Sequence, residues 1–298
     1  MTEQRRRPQA EPLSGPPAGP PAVPQAEPVI APGPERDSGP RVALVTGAAR
    51  GIGAATVAAL VAAGWQVMAV DRCAHDPAVP YPLGHRDDLE KVAADAGPAV
   101  AIAEADTRDV RALAAAVRQT ERTWGGLDAA IAVAGVIAGG VPAWEMPADQ
   151  QQAVLDIDLG GVLNLARVAV PALLRRPQPR HGRFLAVSSA AATRGLPLLA
   201  AYCAAKAGVS GFIRALATDL RGTGVTANAV SPGATETRIL DESARLYGLP
   251  SAHSFASQGA HERLLAAGEV AAVLTFLAGD GASGMTGAIV PVDGGMAL

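Results

Sequence analysis

The stretch Arg41–Gly64 reads "RVALVTGAARGIGAATVAALVAAG", and its reading decides the fold. "RVALVTG" is a short apolar run closed by glycine, the pattern of a strand buried on both faces. "IGAATVAALVAAG" follows with helical length and a closing Gly64. The same alternation continues down the chain. "WQVMAVD", "AVAIAEAD", "GLDAAIAVAG", "GRFLAVSS", "GVTANAVSPG" and "GAIVPVDGG" read as strands. "DVRALAAAVRQTERTW", the region from about Asp149 to Arg175, "AYCAAKAGVSGFIRALATDLRG" and "GEVAAVLTFLAG" read as helices. Strands alternating with helices predict an α/β fold, one doubly wound domain over residues 41–298 with a parallel sheet covered on both faces.

Composition narrows the class. Hydrophobic residues make up 49% of the 298, yet aromatics only 3%, so the core must come from closely approached alanine, valine and leucine. The net charge of −3 is spread along the chain, which is no nucleic-acid footprint. No unbroken apolar run reaches the length of a membrane span. Cys73 and Cys203 have neither metal-ligand nor disulfide-framework spacing, which suits a reduced, cytoplasmic protein. Residues 1–40 are rich in proline and are expected to be a disordered tail. Arg5, Arg6 and Arg7 are not followed by an apolar segment, so no secretory signal is expected.

"TGAARGIG", Thr46–Gly53, lies between the first strand and the first helix. Glycines there permit a tight turn and close approach of backbone N–H groups to a pyrophosphate. The spacing, Gly47-x3-Gly51-x-Gly53, departs from G-x-G-x-x-G, so position carries the argument rather than spelling. Asp71 ends the second strand, 18 residues after Gly53. A carboxylate there accepts hydrogen bonds from the adenosine ribose hydroxyls and repels a 2′-phosphate, favouring NAD over NADP. Arg50 and Arg72 are the opposing signal, since either is able to meet a phosphate.

Tyr202 and Lys206 stand four residues apart on a predicted helix and share one face. Of the 25 lysines and arginines only Lys91 and Lys206 are lysines, so the ammonium at 206 is selected against a strong arginine bias. An ammonium beside a phenol favours the phenolate and lowers its pKa. A phenol so tuned exchanges a proton with an alcohol or carbonyl. Ser189, at the end of the fifth strand, offers a hydroxyl to the same oxygen.

On these residues the chain resembles the short-chain dehydrogenase/reductase family over nearly all of residues 41–298. "TGAARGIG" is similar to its cofactor loop (Gly47, Arg50, Gly51, Ile52, Gly53), "AYCAAK" to its Y-x-x-x-K, and Ser189 to its catalytic serine. Asp71 and Arg72 close the second strand, and Asp106 and Thr107 fall on the segment beside adenine. "AVAG", with Ala134 and Gly135, stands where the family has N-N-A-G. "SPGATET", with Pro232, Gly233, Thr235 and Thr237, resembles its loop beside the nicotinamide. The resemblance implies a Rossmann fold with a seven-stranded parallel sheet, bound NAD, a substrate lid at about 235–265 and a homotetramer packed through the long central helices. It also implies a role for Asp158, which takes the place of a catalytic asparagine. A backbone role survives that change, and the carboxylate is expected near Lys206.

Thirty-four residues separate Asp71 from Asp106, more than a simple crossover needs. The insertion, residues 72–98, sets Pro77, Pro80 and Pro82 around Tyr81 before a helical pattern from Arg86. It is expected near the adenosine half of the cofactor. "VDRCAHDPAVPYPL" resembles the subgroup associated with mycofactocin, which implies NAD that stays bound while that external carrier recycles it. The expected reaction is interconversion of a small secondary alcohol and a ketone. Two alternatives stay open: an NADP-linked ketoreductase of acyl or polyketide substrates, and a non-catalytic dinucleotide sensor. His253 and His261 in the lid read as solvated or packing residues, and no metal site is expected.

Overall fold

The computed structural model describes residues 39–297, so the expected tail lies outside the described residues apart from Gly39 and Pro40. Seven strands form one sheet: β1 (Val42–Thr46), β2 (Gln66–Asp71), β3 (Val100–Glu104), β4 (Ala129–Ala132), β5 (Arg183–Val187), β6 (Thr226–Pro232) and β7 (Ile289–Val292). Their order is β3-β2-β1-β4-β5-β6-β7, with every pairing parallel. The helices are α1 (Gly51–Ala62), α2 (Arg86–Ala96), α3 (Val110–Trp124), α4 (Ala148–Val154), α5 (Gly161–Arg175), α6 (Ala200–Asp219), α7 (Arg238–Leu246) and α8 (Ala267–Ala278). This is the doubly wound α/β architecture expected from the alternation.

Successive strand residues feed two cores, as the two-residue period of a strand requires. Leu44, Met68, Ala130 and Phe184 pack with Leu113 of α3, Leu165 of α5, and Val209 and Ile213 of α6. Val45, Val67, Ile131 and Leu185 face the other way, onto Val57 and Leu60 of α1 and Leu274 of α8. Small residues set the layer spacing. A methyl group at Gly161, the first residue of α5, would lie 2.6 Å from the Thr107 hydroxyl oxygen. That is how a core with few aromatics closes.

Ala148–Arg175 is one helical run whose middle, Leu155–Gly160, winds with π-type bonding. By length and composition it is apolar enough to cross a bilayer, with a mean hydropathy of 1.5, but half of that window is buried within the domain. It is a core helix. The lid region, which carried no expected element, contains α7 and a 3-10 stretch at Ala252–Gln258. Charged residues in "RILDESARL" mask the helical pattern, although Glu242, Ser243 and Ala244 are buried. A parallel bridge between Thr235 and Leu265 ties the ends of the lid together.

β1 lies between β2 and β4, so the chain leaves their carboxyl ends in opposite senses and opens a crevice between the two loops. The crevice is stitched from below. The Thr46 hydroxyl oxygen accepts from the N–H of Val133 at 3.2 Å and of Ala134 at 3.4 Å. "AVAG" lacks the asparagines of the related pattern, and this buried hydroxyl ties the β4 end to β1. Thr46→Val keeps the shape and strands those amides. It is expected to lower the unfolding free energy by about 1–3 kcal/mol in urea denaturation, and an unchanged midpoint would count against the tie.

Candidate active site

The glycine turn and the β4 loop meet at backbone distance. Gly47 has φ +68°, and a methyl group there would sit 2.7 Å from the Ala134 backbone. A methyl at Gly53 would collide with the Gly47 carbonyl. α1 then starts with no side-chain cap from Arg50 and no acidic residue in its first turn. Its leading N–H groups therefore lack intrahelical acceptors and suit an anion. Gly47, Arg50, Gly51, Ile52 and Gly53 all line a cavity of about 1250 Å³. Ligand pockets usually hold about 300–1,000 Å³, so this one has room for a dinucleotide and a small second molecule. The residues present fit such a group.

At one end of the cavity Asp71 closes β2, and its Oδ2 accepts the Ala49 N–H at 3.0 Å. The insertion crosses this point closely. A methyl at Gly84 would meet the Ala49 side chain at 2.9 Å and Asp71 Oδ1 at 3.3 Å. Arg72, Asp106 and Thr107 line the same end, as do Ala134 and Gly135 further along. Arg50 and Arg72 are both in ion pairs, with Asp88 at 3.1 Å and with Asp76 at 2.6 Å.

At the other end three expected side chains converge. Ser189, Tyr202 and Lys206 share the cavity wall, and the Ser189 hydroxyl accepts the Ala191 N–H at 3.1 Å. The Lys206 ammonium lies 5.6 Å from the centre of the Tyr202 ring and donates to the Val187 carbonyl at 3.2 Å. Asp158, fully buried on the π-wound turn, lies 3.0 Å from Lys206 Nζ through Oδ2. Its Oδ1 accepts the Val136 N–H at 2.7 Å. The carboxylate is where the sequence placed it.

The electrostatics add a larger opposing cause. Lys206 lowers the Tyr202 pKa as expected, yet the phenol on balance lies above its ordinary value. Burial pushes it up most; the Lys206 ammonium pulls it down, the Asp158 carboxylate pushes it up again, and the nearby Ser189 hydroxyl pulls it down. Burial also works against the Lys206 ammonium, but Asp158 and Tyr202 hold that ammonium above its usual range. Asp158 thus takes up part of the positive charge that would otherwise act on the phenol.

Pro232, Gly233, Thr235 and Thr237 line the cavity after β6. Gly233 abuts the Asp293 backbone, and the Thr237 hydroxyl donates to the Thr235 carbonyl at 3.2 Å. His253 lines the cavity, whereas the His261 ring packs over Gly294. The insertion reaches further than expected. Beyond Asp71, buried Tyr81 accepts the Ile137 N–H at 3.0 Å through its hydroxyl oxygen and packs with Ile157, Leu199 and Tyr202. The three prolines that stiffen its segment were the only signal. Ile239, Tyr247, Leu249 and Phe255 of the expected lid form an apolar wall, which Leu196, outside that lid, completes. Tyr247 is fixed there by donating to the Pro197 carbonyl at 2.6 Å.

The family described as enoyl-(acyl carrier protein) reductase matches residues 47–297. (-)-Trans-carveol dehydrogenase of Rhodococcus erythropolis is 33% identical, over 87% of this chain and 98% of that protein. Cis-4-hydroxycyclohexanecarboxylate dehydrogenase of Sinomonas cyclohexanicum is 34% identical, over 86% and 96%. The crystal structure of carveol dehydrogenase from Mycobacterium avium in complex with NAD superposes with a TM-score of 0.82 at 30% identity, covering 87% of this chain and 98% of that one. With the glycine turn, the Ser189–Tyr202–Lys206 cluster and these matches together, the chain belongs to the short-chain dehydrogenase/reductase family of oxidoreductases.

Proposed function

We propose that the chain is an NAD-dependent oxidoreductase interconverting a small secondary alcohol and a ketone. The observation that carries this is the convergence of Ser189, Tyr202 and Lys206 on one wall of a cavity whose other wall is the glycine turn. Tyr202 is the general base toward the alcohol hydroxyl and the acid toward the ketone. Ser189 orients the reacting oxygen. Lys206 holds the nicotinamide ribose and favours the Tyr202 phenolate. Asp158 positions Lys206 by a direct ion pair and backs the loop at Val136. Gly47, Arg50, Gly51, Ile52 and Gly53 hold the pyrophosphate; Asp71, Arg72, Asp106 and Thr107 frame the adenosine. Ala134 and Gly135 face the middle of the cofactor, and Pro232, Gly233, Thr235 and Thr237 its nicotinamide end. When bound, NAD would supply the hydride acceptor for oxidation and, reduced, the donor for the reverse.

The apolar wall and the alicyclic alcohols named in two relatives support an alicyclic substrate. The NADP ketoreductase reading is weakened by the ion pairs that occupy Arg50 and Arg72. A sensor has no use for the Ser189–Tyr202–Lys206 set. The same proposal includes NAD held through turnover and recycled by mycofactocin, supported by the insertion anchored at Tyr81 and by Gly84 over Asp71. It also includes a cytoplasmic homotetramer, consistent with the free thiols of Cys73 and Cys203 and with exposed Leu163 on α5.

Tyr202→Phe is expected to reduce kcat by at least about 100-fold with dinucleotide binding retained; activity near the native level would reassign the base. Asp158→Asn removes a charge that raises the Tyr202 pKa. Alcohol oxidation needs the deprotonated phenol, so the acid limb of its pH–rate profile should move to lower pH in that variant. A limb that stays put or rises would remove Asp158 from the tuning. Mass spectrometry of the denatured, as-purified protein should find released NAD. Protein that carries none and exchanges added NAD freely would exclude the held-cofactor reading.

A further inference from the structure

The insertion does more than cover the adenosine end. Arg50 and Arg72 both line that part of the cavity, where a phosphate on the adenosine ribose would seek a cation. Each is ion-paired to a carboxylate that the insertion supplies, although Arg50 Nη2 is buried without a hydrogen-bond partner. Arg72 Nη1 lies 2.6 Å from Asp76 Oδ2, and its Nε lies 3.1 Å from Asp106 Oδ2. Arg108 reaches the same two carboxylates, at 2.8 Å and 2.7 Å through Nη2. Two arginines and two aspartates thus close a neutral ring. Asp76 is its most buried member, with 3% exposure, and its Oδ1 accepts the Ala78 N–H at 2.9 Å. Arg50 pairs with Asp88 on α2, a more exposed and therefore weaker arrangement. Asp71 has no ion-pair partner among the described residues; it accepts the Ala49 N–H instead.

We propose that Asp76 is a specificity-determining residue, which keeps Arg72 inside this ring and withholds it from the 2′-phosphate of NADP. The proposal rests on the reading that Asp71 faces the adenosine ribose of NAD. Rejection of NADP then has two layers. Asp71 repels the phosphate, and Asp76 occupies the guanidinium best placed to bind it. Arginine binds phosphate strongly because its planar fork makes paired, charge-assisted hydrogen bonds. Turning Arg72 outward would break its bonds to Asp76 and Asp106 and leave a buried carboxylate short of a partner, which is costly. Phosphate gained would be offset by aspartate abandoned. Asp76→Asn preserves the shape and the Ala78 bond while cutting the hold on Arg72.

The test purifies the full chain from buffer holding NAD and NADP in equal amounts, then measures the ratio of the two released on denaturation. In an Asp71→Asn background, adding Asp76→Asn should raise the NADP-to-NAD ratio about tenfold, the effect of one freed charge-assisted contact. Adding Arg72→Leu should return the ratio to its starting value. Asp106→Asn opens the same ring from its more exposed side and should act in the same direction, should the Asp76 variant fail to fold. An unchanged ratio in the foldable ring variants, or a gain that survives Arg72→Leu, overturns the proposal. Native protein that itself selects NADP would instead overturn the assignment of NAD, a separate result.

Discussion

The constraint on which the molecule depends is the near contact of two backbones at the carboxyl ends of β1 and β4. Gly47 must approach the Ala134 backbone so closely that no Cβ fits between them, and the Thr46 hydroxyl then fastens the two segments. Everything functional is arranged around that join. The glycine turn hands its free amides to one side of it. The loop after β4 carries Val136 to Asp158 and Ile137 to Tyr81, and so links the helical run and the insertion to the same point. A looser join would move all four together.

Charge in the site is organised by cancellation. At one end Asp158 offsets Lys206; at the other, two aspartates offset two arginines. Buried charges persist only when paired, because desolvation of a lone ion costs several kcal/mol. The Asp71 carboxylate, by contrast, has no ion-pair partner among the described residues and accepts a backbone N–H. In the proposed function, selectivity rests as much on the groups that are neutralised as on those that are exposed.

The fold was legible because parallel strands buried on both faces spell continuous apolar runs, and "RVALVTG", "WQVMAVD" and "GRFLAVSS" all do. The positions of Ser189, Tyr202, Lys206 and Asp158 followed from spacing and resemblance. Their energetics did not, since the net direction of the Tyr202 shift depends on burial that no spacing encodes. α7 escaped notice because its buried face includes Glu242 and Ser243, residues that read as solvent-facing. The Arg72–Asp76–Asp106–Arg108 ring joins residues from the insertion that follows β2 and from the loop after β3. Only the folded sheet brings those segments side by side.

The π-wound turn at Leu155–Gly160 has a consequence for how the long helix is read. One extra residue in a turn shifts the angular phase of everything beyond it by about 100°. The faces of α4 and α5 therefore follow two different wheels, and Asp158 sits on the slip between them. Asp158 is buried there beside Ile157, in the turn where the register changes. A deletion of one residue within this turn would leave the helix continuous and just as apolar, but would swing the carboxylate away from Lys206. In this segment the count of residues, rather than their character, holds the chemistry in place.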